Sequence, residues 1–142
     1  MYLLDTNVVS ALRRPDRHPG PTLWLKAQRP SDLHLSVVTL AEIERGIAQQ
    51  VPLNPDFARD LARWVERTLA WFADRILPVD VATARRWGRL SADIGNREVD
   101  LLIAATALEH GLIVVTRNVR HFQPTGVTVL NPFDNSAPAS EE

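Results

Sequence analysis

Met1-Tyr2-Leu3-Leu4-Asp5-Thr6-Asn7-Val8-Val9-Ser10 begins as an apolar run that stops at a carboxylate. Tyr2, Leu3 and Leu4 read as a buried strand, and Thr6 or Asn7 as the N-cap of a helix carrying Val8, Val9 and Leu12. Asp5 then stands at the carboxyl end of the first strand. In an open parallel sheet, ligands bind in the crevice beyond the strand C-termini, where the strand order reverses. A second reading makes Asp5 only a cap for the following helix, as strand-to-helix turns often require. The choice depends on whether other acids reach the same crevice.

The 142 residues, 45% of them hydrophobic, suit one domain with one sizeable core. A single domain is expected over 1–133, followed by a polar, disordered tail over 134–142. With no cysteine, disulfides and thiolate metal sites are excluded, and a reducing compartment fits. No apolar run approaches the roughly 18 residues of a membrane span, so a cytoplasmic protein without membrane contact is expected. The net charge of -1 advertises no nucleic acid, yet of the 16 basic residues only Lys26 is not arginine. Guanidinium suits bidentate phosphate contacts, although arginine-rich codon usage explains the bias equally well.

Arg13 to Pro21 is a basic, turn-rich loop near the strand-end crevice. Thr22 to Gln28 reads as a short helix with Leu23, Trp24 and Ala27 inward, and Leu33 to Val37 as a second strand in which His34 has no chemistry. A helix follows from about Thr39, its plausible cap, to Gln50, with Leu40, Ile43 and Ile47 in one stripe that Glu42 borders. Gly46 lies one turn beyond Glu42. Since glycine costs about 1 kcal/mol inside a helix, it suggests that something packs closely there. Asn54-Pro55 opens a long helix from about Asp56 to Ala73, striped by Phe57, Leu61, Trp64, Val65, Thr68 and Phe72, with Trp71 to one side. Such a stripe builds core, and its aromatic breadth leaves room for a partner groove.

Ile76 to Val79 is a third strand, which Pro78 assigns to an edge. Asp80 caps a helix to about Ile94, and Gly95-Asn96-Arg97 separates it from the next, about Val99 to His110, which Gly111 stops. Within that helix Asp100 is spaced by three and four from Ile103, Ala104, Ala107 and Leu108, placing it on the face that should be buried. A charge seldom sits there unless paired or bound to metal. Leu112 to Thr116 is the clearest strand, Arg117 to Phe122 follows its end, and Val127 to Leu130 is the last strand.

Asp5, Glu42 and Asp100 are therefore all placed where the C-terminal edge of a parallel sheet could collect them. Carboxylates gathered without cysteine or paired histidine suit a hard cation, Mg2+ or Mn2+. Bare, two such charges about 4 Å apart repel by about 4 kcal/mol at an effective dielectric of 20.

Four stretches carry a family resemblance: Leu4-Asp5-Thr6-Asn7-Val8-Val9-Ser10-Ala11-Leu12, Ser36-Val37-Val38-Thr39-Leu40-Ala41-Glu42-Ile43-Glu44-Arg45-Gly46, Asp100-Leu101-Leu102-Ile103-Ala104-Ala105-Thr106-Ala107 and Val115-Thr116-Arg117-Asn118-Val119-Arg120-His121-Phe122. In this order they resemble the PIN-domain ribonucleases, most closely the VapC-like and FitB-like toxins of bacterial type II toxin-antitoxin modules. The resemblance implies a three-layer α/β/α fold around a mostly parallel sheet of about five short strands. It implies Mg2+ held by Asp5, Glu42 and Asp100, supported by Thr6, Asn7 and Thr116. Asn118 stands where many relatives have a fourth acid, and could coordinate through its carbonyl, while His121 stands where a second acid is often found.

The implied activity is metal-assisted hydrolysis of RNA, leaving 5'-phosphate and 3'-hydroxyl ends. Arg13, Arg14, Arg17, Arg117 and Arg120 are candidates for backbone contacts, which position RNA without reading its sequence. The implied partners are a small antitoxin lying across the apolar helices, operator DNA through that complex, and a second copy in a homodimer. A receiver domain would need an acid pair after the first strand and a late lysine, and a haloacid-dehalogenase-like phosphatase a second Asp where Asn7 stands. The remaining alternative is a catalytically weak binding module that acts through antitoxin and operator DNA.

Overall fold

The computed structural model describes residues 1–134, so the expected tail beyond Asp134 lies outside the described residues. Five short strands, β1 (Tyr2–Leu4), β2 (Leu33–Ser36), β3 (Ile76–Leu77), β4 (Ile113–Val115) and β5 (Val129–Leu130), form one sheet. All pairings are parallel, in the order β3-β2-β1-β4-β5. The helices between them are α1 (Thr6–Ala11), α2 (Pro19–Lys26), α3 (Val37–Gln50), α4 (Pro55–Phe72), α5 (Val81–Ile94), α6 (Val99–His110) and α7 (Val119–Phe122).

Alternation along β1 sends Leu3 to one face and Leu4 to the other, and both are wholly buried. Leu3 joins Val114 under Ile103, Ala104, Ala107 and Phe122 of α6 and α7. Leu4 joins Val115, Leu33 and Leu35 under Val8, Val9 and Phe72 of α1 and α4. Helices on both faces make three layers, which is why the strands read as continuous apolar runs. Burying one such leucine is worth about 1.5 to 3 kcal/mol, so the central strand is pinned from both sides. β3 is an edge strand, as Pro78 requires.

Several local expectations need correction. The N-cap of α1 is Asp5 itself, whose side chain accepts from Thr6 N, and not Thr6 or Asn7. Ser36 caps α3 by accepting from Val38 N at 3.0 Å, so the helix starts at Val37 and Thr39 is buried within it. α2 begins earlier than expected, with Pro19 in its first turn. That phase turns Trp24 and Leu25 inward, while Leu23 is 68% exposed and Ala27 is exposed. A Cβ built on Gly46 would meet nothing within 4 Å, so no close neighbour explains that glycine. α4 ends at Phe72 because Ala73 takes a positive φ of 49°.

Candidate functional site

β1 runs directly into Asp5, whose N–H donates to Val115 O of β4 at 2.9 Å. Going outward from β1, the chain order rises through β2 and β3 on one side and through β4 and β5 on the other. Asp5 and Thr116 therefore flank the switch point, where a crevice opens. Asp5 is only 3% exposed. Its Oδ1 accepts from Thr6 N at 2.8 Å, and its Oδ2 from Thr116 Oγ1 at 2.8 Å and Asn7 Nδ2 at 3.0 Å. One oxygen of Asp5 thus caps α1, while the other is held by Thr116 and Asn7.

Burial pushes the Asp5 carboxyl from 3.8 up to about 6; the Thr116 and Thr6 hydrogen bonds oppose this, and the charges of Asp100 and Glu42 add to it. Three carboxylates from β1, α3 and α6 are therefore within electrostatic reach of one another. Thr6 Oγ1 donates to Glu42 Oε1 and lies 3.2 Å from Thr39 Oγ1, joining α1 to α3. Asn7 Oδ1 accepts from Arg117 N at 3.1 Å, joining α1 to the turn after β4. Asn118 N donates to Thr116 Oγ1 at 2.9 Å. Asp100, expected on a buried face, is 22% exposed, and its Oδ2 accepts from His121 Nδ1 at 2.9 Å. The His121 contact was not foreseen; its only trace in the sequence is the place of His121 on the segment after β4.

The basic candidates divide. Arg13, Arg14, Arg17 and Arg117 surround one cleft of about 340 Å3 together with Asn7 and His18. Arg120 belongs instead to a second cleft, also about 340 Å3, with Asn118, His121 and Asn131. Arg117 stacks on Phe133 at 3.9 Å and Arg13 on Phe57 at 5.1 Å. Among the described residues, none of the four guanidiniums in the first cleft has a carboxylate within 4.0 Å.

Carboxylate and hydroxyl oxygens are the donor types a hard cation takes, so the residues present fit such an ion. Among the described residues, no three acid or imidazole side chains stand close enough to grip one ion. Glu42 is turned to Thr6 and Asp100 to His121.

Residues 2–126, which contain all three acids and the switch point, match the PIN domain. The chain belongs to the PIN-domain family. It is 37% identical over 139 residues to toxin FitB of Neisseria gonorrhoeae, covering 94% of this chain and 99% of FitB. It is 32% identical over 139 residues to VapC ribonuclease Y4jK of Sinorhizobium fredii, with the same 94% and 99% coverage. Among solved structures, FitAcB from Neisseria gonorrhoeae superposes with a TM-score of 0.82 at 36% identity, over 94% of this chain and 99% of that one. A toxin-antitoxin complex from Klebsiella pneumoniae superposes with a TM-score of 0.70 at 25% identity, over 93% and 98%. PIN-domain ribonucleases are generally dependent on a divalent metal, and the PIN fold here accounts for all five strands in parallel. No described helix is long and apolar enough to cross a membrane.

Proposed function

We propose that this PIN domain is the toxin of a toxin-antitoxin pair, an endoribonuclease that uses Mg2+, or Mn2+, held by Asp5, Glu42 and Asp100. The observation that carries the reading is the buried Asp5 carboxylate, driven up to about 6 at the switch point in the company of two further acids. Burial is the chief cause, the charges of Asp100 and Glu42 add to it, and a divalent cation beside the carboxylate would favour its ionised form. When bound, the ion supplies Lewis acidity toward water and the scissile phosphate.

The chain's own residues orient the reaction. Thr116, Asn7 and the Thr6 N–H fix the Asp5 carboxylate so that it need not reorganise. Asn118, held through its N–H by Thr116, lies between Thr116 and His121, the residues hydrogen-bonded to Asp5 and Asp100. The guanidiniums of Arg13, Arg14, Arg17 and Arg117, without a carboxylate partner among the described residues, offer a track for the RNA backbone next to Asn7, which is hydrogen-bonded to Asp5. The antitoxin is assigned to the apolar groove of about 240 Å3 lined by Val9, Leu12, Leu25, Trp64, Trp71 and Phe72, where Trp71 is 47% exposed. Similarity to solved toxin-antitoxin complexes supports that partner, and operator DNA is reached through it.

Purified protein incubated with RNA in Mg2+ should yield fragments with 5'-phosphate ends, and a chelator should stop cleavage. Cleavage that survives the chelator refutes the metal. Binding to antitoxin and operator with no cleavage in either ion would make the chain a binding module.

A further inference from the structure

We propose that His121 is a positioning residue for the metal site, its Nδ1–H holding Asp100 Oδ2 so that Oδ1 is the oxygen offered to the cation. This rests on the reading of Asp100 as a metal ligand.

The contact is 2.9 Å long. An ionised carboxylate only accepts, so in this contact the imidazole donates from Nδ1. The nitrogen that faces the acids is therefore a donor and is not available as a ligand. His121 is 57% exposed, so packing does not demand an imidazole at this position. Its backbone is nevertheless well anchored. Phe122 beside it is wholly buried, and His121 N donates to Asn118 O at 3.1 Å.

Asn118 N is in turn tied to Thr116 Oγ1, and that hydroxyl donates to Asp5 Oδ2. The six residues from Thr116 to His121 thus hold one oxygen of Asp5 at one end and one oxygen of Asp100 at the other. The two carboxylates come from β1 and α6, which are far apart in the chain, and this segment links them through hydrogen bonds. Outer partners of this kind set the orientation of a ligating carboxylate, and their loss weakens metal affinity by about 10- to 100-fold.

The test is Mn2+ titration of the full chain, followed by the loss of the free-ion paramagnetic signal, for the parent, His121→Ala and His121→Asn. His121→Ala should bind Mn2+ about 10- to 100-fold more weakly with an unchanged melting temperature in chelator. His121→Asn, whose amide N–H can take the place of Nδ1–H, should recover most of the affinity. RNA cleavage by His121→Ala should return toward the parental rate in excess Mn2+. Parental Mn2+ affinity in His121→Ala overturns the inference, as does an Asn variant no tighter than Ala. If the parent itself takes up no Mn2+, the metal-dependent reading falls and the inference with it. If the parent binds Mn2+ and cleaves RNA while His121→Ala matches it, only the inference falls.

Discussion

Asp5→Asn should change the stability of the metal-free protein with opposite sign on the two sides of about pH 5. In the fold the Asp5 carboxyl is raised from 3.8 to about 6, chiefly by burial. At 1.36 kcal/mol per tenfold in proton affinity, that displacement corresponds to about 3 kcal/mol. The native state binds this proton more tightly than the unfolded state does. The associated stability is therefore present in full below about pH 3.8 and is lost as the pH rises through about 6. Asparagine carries no charge and removes the penalty at neutral pH. It also puts an NH2 where Oδ2 accepts from Thr116 Oγ1 and Asn7 Nδ2, forfeiting two hydrogen bonds at about 1 kcal/mol each. The balance is a gain of about 1 kcal/mol near pH 7.5 and a loss of about 2 kcal/mol near pH 3. For a domain of this size, these amount to a rise of about 3 °C and a fall of about 6 °C in Tm. Thermal unfolding followed by circular dichroism in chelator at both pH values measures the two shifts. Equal destabilisation at both would refute the claim that burial strains the ionised carboxylate.

Asp100→Asn should abolish RNA cleavage while leaving Tm in chelator unchanged or higher, because it removes one of the charges that oppose ionisation of Asp5. A lower Tm with parental activity would remove Asp100 from the site. Arg14→Ala combined with Arg17→Ala should weaken RNA binding across sequences and reduce the slope of log K against log salt by about 1 to 2, as measured by fluorescence anisotropy with an uncleavable RNA. An unchanged slope would show that the cleft holds no phosphate. Trp71→Ala should weaken the antitoxin complex at least tenfold in a titration yet barely move Tm, since this ring is half exposed at the groove. A collapse of Tm would make Trp71 core.

Features that rest on short-range chemistry are legible in the sequence. Asn54 and Asp80 cap α4 and α5 through their own carboxyl or amide oxygens, and Gly95 and Gly111 end α5 and α6 in the left-handed conformation. Each of these depends on residues within four positions and is legible for that reason. The same holds for β1 ending at Asp5, for the apolar run of β4 and for Asp100 in the first turn of α6. Which way a short helix faces was not local. Leu23 and Leu25 have the same chemistry, and only the packing of α2 against the cluster of β1, β2, α1 and α4 turned Leu25 inward. Gly46 looked like a close approach, and no neighbour came. The site was decided at longest range. Thr116 reaches Asp5 across 111 positions, Thr6 reaches Glu42 across 36, and His121 reaches Asp100 across 21. Those contacts exist because parallel pairing sets β4 beside β1, so that two distant strand ends share one crevice. Periodicity records which face of an element is buried, but a hydrogen bond between side chains depends on strand order and register, which only the folded chain specifies.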